Sequence, residues 1–131
     1  MRKTLKILSI FVILFVVGCS FNSKDKFIDT SNEFINIVNT RIYELNDQEE
    51  LNEKTEMLEE IVERKEAIVL DDKYQETQKE IIAKDKEIIA YIKVLNDSKQ
   101  AKDIKKYNEN AKKFNDTLKE LEKLNQKILD E

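Results

Sequence analysis

Apolar side chains recur along this chain at alternating steps of three and four, and the phase of that alternation breaks at three places. Phe27, Ser31, Phe34, Val38, Arg41 and Leu45 form a first stripe, which Ile28, Ile35 and Ile42 broaden. The spacing predicts an amphipathic helix over about 24–46. Asn46-Asp47-Gln48-Glu49-Glu50 breaks the phase, with Asp47 placed to N-cap a new helix and Glu50 at the capping-box position. Leu51, Thr55, Leu58, Val62, Lys65 and Val69, flanked by Ile61 and Ile68, predict a second helix over about 48–70. Asp71-Asp72 makes the next break. Tyr74, Gln78, Ile81, Asp85, Ile88, Ile92 and Leu95, beside Ile82 and Ile89, predict a third helix over about 72–96. Asn96-Asp97-Ser98-Lys99 reads as the clearest loop. Ile104, Tyr107, Ala111, Phe114, Leu118, Leu121, Asn125 and Ile128 then make a strict heptad seam, predicting a fourth helix over about 99–130.

The stripes of the first and second helices, and of the second and third, are each out of phase by nearly half a turn. One straight rod cannot aim both at the same core, so the chain turns at each break. The expected fold is all-α: an up-down-up-down antiparallel four-helix bundle about 35 Å long. The alternative is a three-helix bundle with one long middle helix kinked at Asp71-Asp72. Leu-Asn-Asp occurs at 45–47 and again at 95–97, both at the expected far end of the bundle.

Ahead of the bundle, Arg2, Lys3 and Lys6 form a short basic head, and Ile7 to Val17 is an apolar run interrupted only by Ser9. That run is too short for a bilayer-spanning helix, which needs about 20 residues, and suits the apolar core of a signal peptide. Val16-Val17-Gly18-Cys19 closes it, and these four residues resemble the lipobox of bacterial lipoprotein precursors. The resemblance implies a diacylglycerol on the Cys19 thiol and cleavage after Gly18. It divides the chain into a signal peptide at 1–18, a lipidated Cys19 and tether at 19–23, and a helical domain at 24–131. Two or three acyl chains anchor a protein stably where one does not. The expected location is therefore the extracytoplasmic face of the cell membrane. The abundance of Lys, Asn, Ile and Glu suits a low-GC Gram-positive bacterium. In a Gram-negative cell, Ser20 after the lipidated cysteine would direct the protein to the outer membrane, again by resemblance.

Composition narrows the function more than it defines it. The chain has 131 residues, 23 basic and 27 acidic, and cleavage would remove three of the basic ones, leaving a net charge of −7. That balance argues against nucleic-acid binding, which wants a basic face. Cys19 is the single cysteine, so no disulfide is expected. There is no proline, and the one glycine is Gly18. Phosphate-cradling and strained catalytic loops lean on glycine. The chain contains no histidine. Serine triads, most zinc sites and the di-iron sites of ferritin-like bundles all need one. No catalytic residue, no metal site and no cofactor beyond the covalent lipid on Cys19 are expected.

Two groups of residues remain as candidates for recognition. Glu49, Glu53, Glu56, Glu60 and Glu63 share the face of the second helix opposite its apolar stripe. Such a face binds Ca²⁺ poorly without a loop to wrap the ion, and it reads first as a solvated surface. Asn46, Asp47, Asn96 and Asp97 sit at the expected distal tip, so the candidate partner surface is these four with Glu53, Glu56 and Glu60. Within the stripes, Arg41, Lys65, Gln78, Asp85 and Asn125 are polar intruders. Folding about the links places Asp85 near the level of Leu58 and Ala111, where a small cavity would accept a water or a ligand; the intruders otherwise fix register or reach solvent.

The expected function is a non-enzymatic, membrane-anchored helical interaction module at the cell envelope, with an envelope protein or cell wall as partner. The domain is weakly similar to small helical lipoproteins described as cell-wall-binding. Alternatives are a mobile-element exclusion or immunity lipoprotein and a small-ligand carrier. The segment Phe11 to Gly18 also resembles the apolar octapeptide pheromones released from some lipoprotein signals.

Overall fold

The computed structural model describes residues 23–130. The signal segment, Cys19 and its cleavage site lie outside the described residues. The described residues form four helices: α1 (Ser23–Val38), α2 (Gln48–Ala67), α3 (Asp72–Gln100) and α4 (Ile104–Asp130), with a short 3₁₀ turn at Ile42–Glu44. Each helix packs on the next, and α4 closes back on α1. This is an up-down-up-down four-helix bundle in which α2 and α4 stand diagonally across from each other. Its core gathers the predicted stripes: Phe27 and Phe34, Leu58 and Val62, Ile81, Ile88 and Ile92, Leu121 and Ile128 are all buried.

The helix ends differ from the sequence expectation, each for a local reason. The first helix stops at Val38, not near residue 46. Asn39 and Thr40 are poor helix formers, and the Thr40 hydroxyl donates to the Ile37 carbonyl at 2.6 Å. Arg41 then takes a left-handed conformation (φ 56°). A continued helix would have pointed Arg41 at the core. The turn instead leaves it exposed beside Glu44 and buries Ile42 completely. The second helix stops at Ala67. Ile68, Val69 and Leu70 continue as extended chain, with Ile68 and Leu70 in and Val69 out. Gln78 Nε2 donates to the carbonyls of Lys65 (3.1 Å) and Ile68 (2.8 Å), closing the end of α2. The break is complete, and the kinked middle helix is excluded.

The largest correction falls at 96–99, where the sequence predicts a loop and the chain is helical to Gln100. Asn96 and Ser98 are buried there. The turn comes instead at 101–103, where Lys102 N–H donates to Lys99 O (3.1 Å) and Asp103 N–H to Ser98 O (2.9 Å). These two bonds make a Schellman end with Lys102 at the left-handed position (φ 57°), where glycine is usual. Asp103 serves both helices, since its carboxylate accepts from Lys106 N–H at 3.0 Å and so caps α4. The three-residue link holds α3 and α4 together as the most extensive helix pair in the molecule.

Candidate functional site

Two of the polar intruders meet in the middle of the bundle. Lys65, near the end of α2, places its Nζ 2.6 Å from Asp85 Oδ2 on α3, and both side chains are 0% exposed. The ammonium also lies over two aromatic faces of α1, 5.1 Å from the Phe27 ring centre and 5.6 Å from that of Phe34. Both distances are within the range of a cation–π contact. Loss of water pushes the Asp85 carboxyl up to about 6, against the pull of the Lys65 charge and hydrogen bond. The same loss holds Lys65 below its ordinary value, opposed by Asp85. Asp85 Oδ1 and Ser31 Oγ are buried with no hydrogen-bond partner. Ser31 lies between Phe27 and Phe34 on the α1 stripe. A sealed pair of this kind costs several kcal/mol per ion to desolvate and recovers it through good geometry. It joins α2 to α3 at one register and offers a substrate no route to either charge.

Folding the second and third helices symmetrically about Asp71-Asp72 predicts Asp85 opposite Leu58. The structure pairs it with Lys65 because residues 68–71 are extended and rise about twice as far per residue as a helix. The start of α3 therefore lies well below the end of α2. Two surface ion pairs show the same register: Lys86 with Glu66 (3.1 Å) and Lys93 with Glu59 (3.1 Å). The opposite charges of Lys65 and Asp85 on two successive apolar stripes were the available signal, but the register needed to connect them lay in the link. Ala111 is half-buried on the distal half of α4, away from this pair.

The predicted tip residues are mostly engaged in building the tip. Asp47 caps α2, accepting from the backbone of Glu49 (2.9 Å) and Glu50 (3.4 Å). Asn46 Oδ1 accepts from Lys99 Nζ at 2.8 Å, and the same ammonium donates to Glu44 O at 3.1 Å. Asn96 Nδ2 donates to Gln48 Oε1 at 3.2 Å. Asp97 is an exposed side chain within α3. On α2, Glu53 and Glu60 are exposed and Glu56 is half-buried. No cluster of three or more carboxylates close enough to hold a metal ion occurs among the described residues. No described helix is long and apolar enough to cross a membrane.

Four clefts are lined by the described residues. One of about 500 Å³ lies at the base, beside the extended link, between Leu70 and Ile82. One of about 330 Å³ lies between α1 and α2, around Ile37, Met57 and Ile61. One of about 290 Å³ runs between α1 and α4 past Ser31 and Asn125, whose Oδ1 is also buried without a partner. The fourth, about 500 Å³ and mostly apolar, sits at the tip beneath Ile104 and Tyr107. Neither Asp85 nor Ala111 lines any of the four. Comparison with known protein families, curated proteins and solved structures returns no match.

Proposed function

We propose that this chain is a lipid-anchored, extracytoplasmic interaction module without enzymatic activity. The observation that carries the reading is spatial: α1 begins at Ser23, four residues after Cys19 in the lipobox-like Val16-Val17-Gly18-Cys19. Four extended residues reach about 14 Å, so a lipid on Cys19 holds the base of the bundle next to the bilayer. The base is where Lys24 of α1 and Lys73 of α3 flank the Tyr74 ring, at 5.1 and 4.9 Å. The 29-residue α3 then carries the tip about 40 Å outward. The Lys65–Asp85 pair, sealed and with each group held by the other, is read as a register contact and not as a working site.

Metabolic labelling with an alkynyl palmitate tests the anchor. The wild-type chain is expected to take the label and fractionate with membranes. Cys19→Ala is expected to lose the label and to keep the uncleaved signal, running as a heavier band. An unlabelled wild-type chain would overturn the reading. Photo-crosslinking in cells from Asp97 tests the module: a discrete protein adduct supports a protein partner, adducts to wall glycan support the wall, and no adduct from any exposed face speaks against an interaction role.

A further inference from the structure

The charges of this bundle are sorted onto opposite faces. Along α2, eight acidic residues stand against Lys54, Arg64 and Lys65, and Lys65 is buried in its own ion pair. Along residues 99–113 the balance reverses, although Glu44, Asp47 and Asp97 also lie at the tip. Lys99, Lys102, Lys105, Lys106, Lys112 and Lys113 stand there against Asp103 and Glu109. Asp103 is already occupied as the cap of α4. Since α2 and α4 are diagonal in the bundle, the acidic and basic faces point away from each other.

Each face also carries an apolar feature of matching kind. Met57 is 48% exposed on α2, with Glu53 one turn before it and Glu60 one turn after on the same face. Ile104 is 73% exposed over the mostly apolar tip cleft, which Lys99 and Lys102 rim together with Glu44 and Asp103. Ser98 also lines that cleft, nearly fully buried, and its hydroxyl has no hydrogen-bond partner. A methionine is long and adaptable enough to fill an irregular apolar cleft. Flanking carboxylates meeting Lys105 and Lys106, both exposed beside Ile104, would fix its direction of approach.

The two features stand at nearly the same height. The Lys93–Glu59 pair sets Met57 about level with Leu95, and the Lys84–Glu120 pair (2.8 Å) sets Leu95 about level with Glu109. Tyr107 in the cleft is then only ~3 Å further out along the axis. Two copies standing side by side on one membrane therefore bring the acidic face of one against the tip cleft of the next without either changing height.

From this placement we propose that the occupant of the tip cleft is a second copy of this chain, with Met57 and its flanking glutamates docking under Ile104 of a neighbour. The proposal rests on the anchored reading, which confines copies to one surface in one orientation. The contact is heterologous: each copy offers both halves, so association runs on as an open row and does not stop at a dimer. Its small area makes a single contact weak, and confinement to the membrane raises the local concentration that a row requires.

The test uses the full-length chain in cells. A Met57→Cys, Ile104→Cys double variant is treated with a short bismaleimide and run on a denaturing gel. The expected result is a ladder of dimer, trimer and higher species. Cells co-expressing the two single variants with different tags should give one product carrying both tags, while each single variant alone gives none. Replacing Lys105 and Lys106 with Glu should cut the ladder about tenfold, and adding Glu53→Lys and Glu60→Lys in the same chain should restore it. A single-variant homodimer, a ladder equally strong from Ala90→Cys on α3, or no ladder would overturn the proposal. Palmitate label on the same gel reports the anchor separately, so the label decides the anchor and the ladder decides the docking.

Discussion

In the middle of the bundle, Lys65 and Asp85 hold each other at 2.6 Å with no exposure to water. At the tip, Lys99 reaches Glu44 O and Asn46 Oδ1 at 3.1 and 2.8 Å in full contact with solvent. Both are lysines that fix one segment against another across the sequence. In the middle, no water is available to replace a lost partner, so the pair is nearly all-or-none. At the tip, water competes for every bond, and several weak contacts from Gln48, Asn96, Lys99 and Gln100 share the work. The difference separates two ways of fixing register: one contact that is costly to break, and several that each matter little.

Four measurements sharpen that contrast. Asp85→Leu alone is expected to destabilise by about 3–5 kcal/mol, because it leaves the Lys65 charge buried and unpaired. The Lys65→Met, Asp85→Leu double variant should recover most or all of the loss, measured by urea unfolding. Recovery absent from the double variant would mean that the pair does more than match charge. The second measurement is pH dependence. The Asp85 carboxyl sits near 6 when folded, against about 4 in an unfolded chain. Between these values the native state binds the extra proton, so stability falls as pH rises from about 4 to 6. Wild type minus Asp85→Asn should show this fall, while a flat difference would place the Asp85 pKa near its ordinary value.

The tip should respond on a smaller scale. Asp47→Ala removes the cap of α2 and is expected to cost about 1 kcal/mol in thermal or urea unfolding. Lys102→Gly is expected to gain about 1 kcal/mol or slightly less, since glycine carries no penalty in the left-handed position that Lys102 holds. A loss on Lys102→Gly would mean that the lysine side chain contributes more to the tip than its backbone costs.

The four helices and their buried faces were readable in the sequence because three-four periodicity is a local property that tertiary contacts rarely reverse. Their ends were not, and the repeated Leu-Asn-Asp shows why. At 45–47 the tripeptide is a link: Leu45 is extended and Asp47 caps α2. At 95–97 the same three residues are helical. Leu95 is fully buried at the end of an isoleucine-rich stripe, and Asn96 bonds to Gln48. Local preference is the same in both places, and the partner across the bundle decides. The central pair escaped for a related reason. Lys65 and Asp85 stood out as polar residues on apolar stripes, but only the extended chain at 68–71 brings them to one level. Gln78 likewise stood out, and its use as a lid over the carbonyls of α2 depends on the same link.

The three-residue turn at 101–103 has a consequence for how the chain reaches its final state. Closing so short a loop costs little chain entropy, and the largest helix pair forms from segments adjacent in sequence. Local contacts of this kind form fastest, so the α3–α4 hairpin is the expected folding nucleus, testable by whether truncating Phe114 slows refolding more than truncating Phe34. A chain exported amino end first, as proposed here, delivers that hairpin last. Export itself would then delay folding, keeping the chain unfolded until its final helix has crossed.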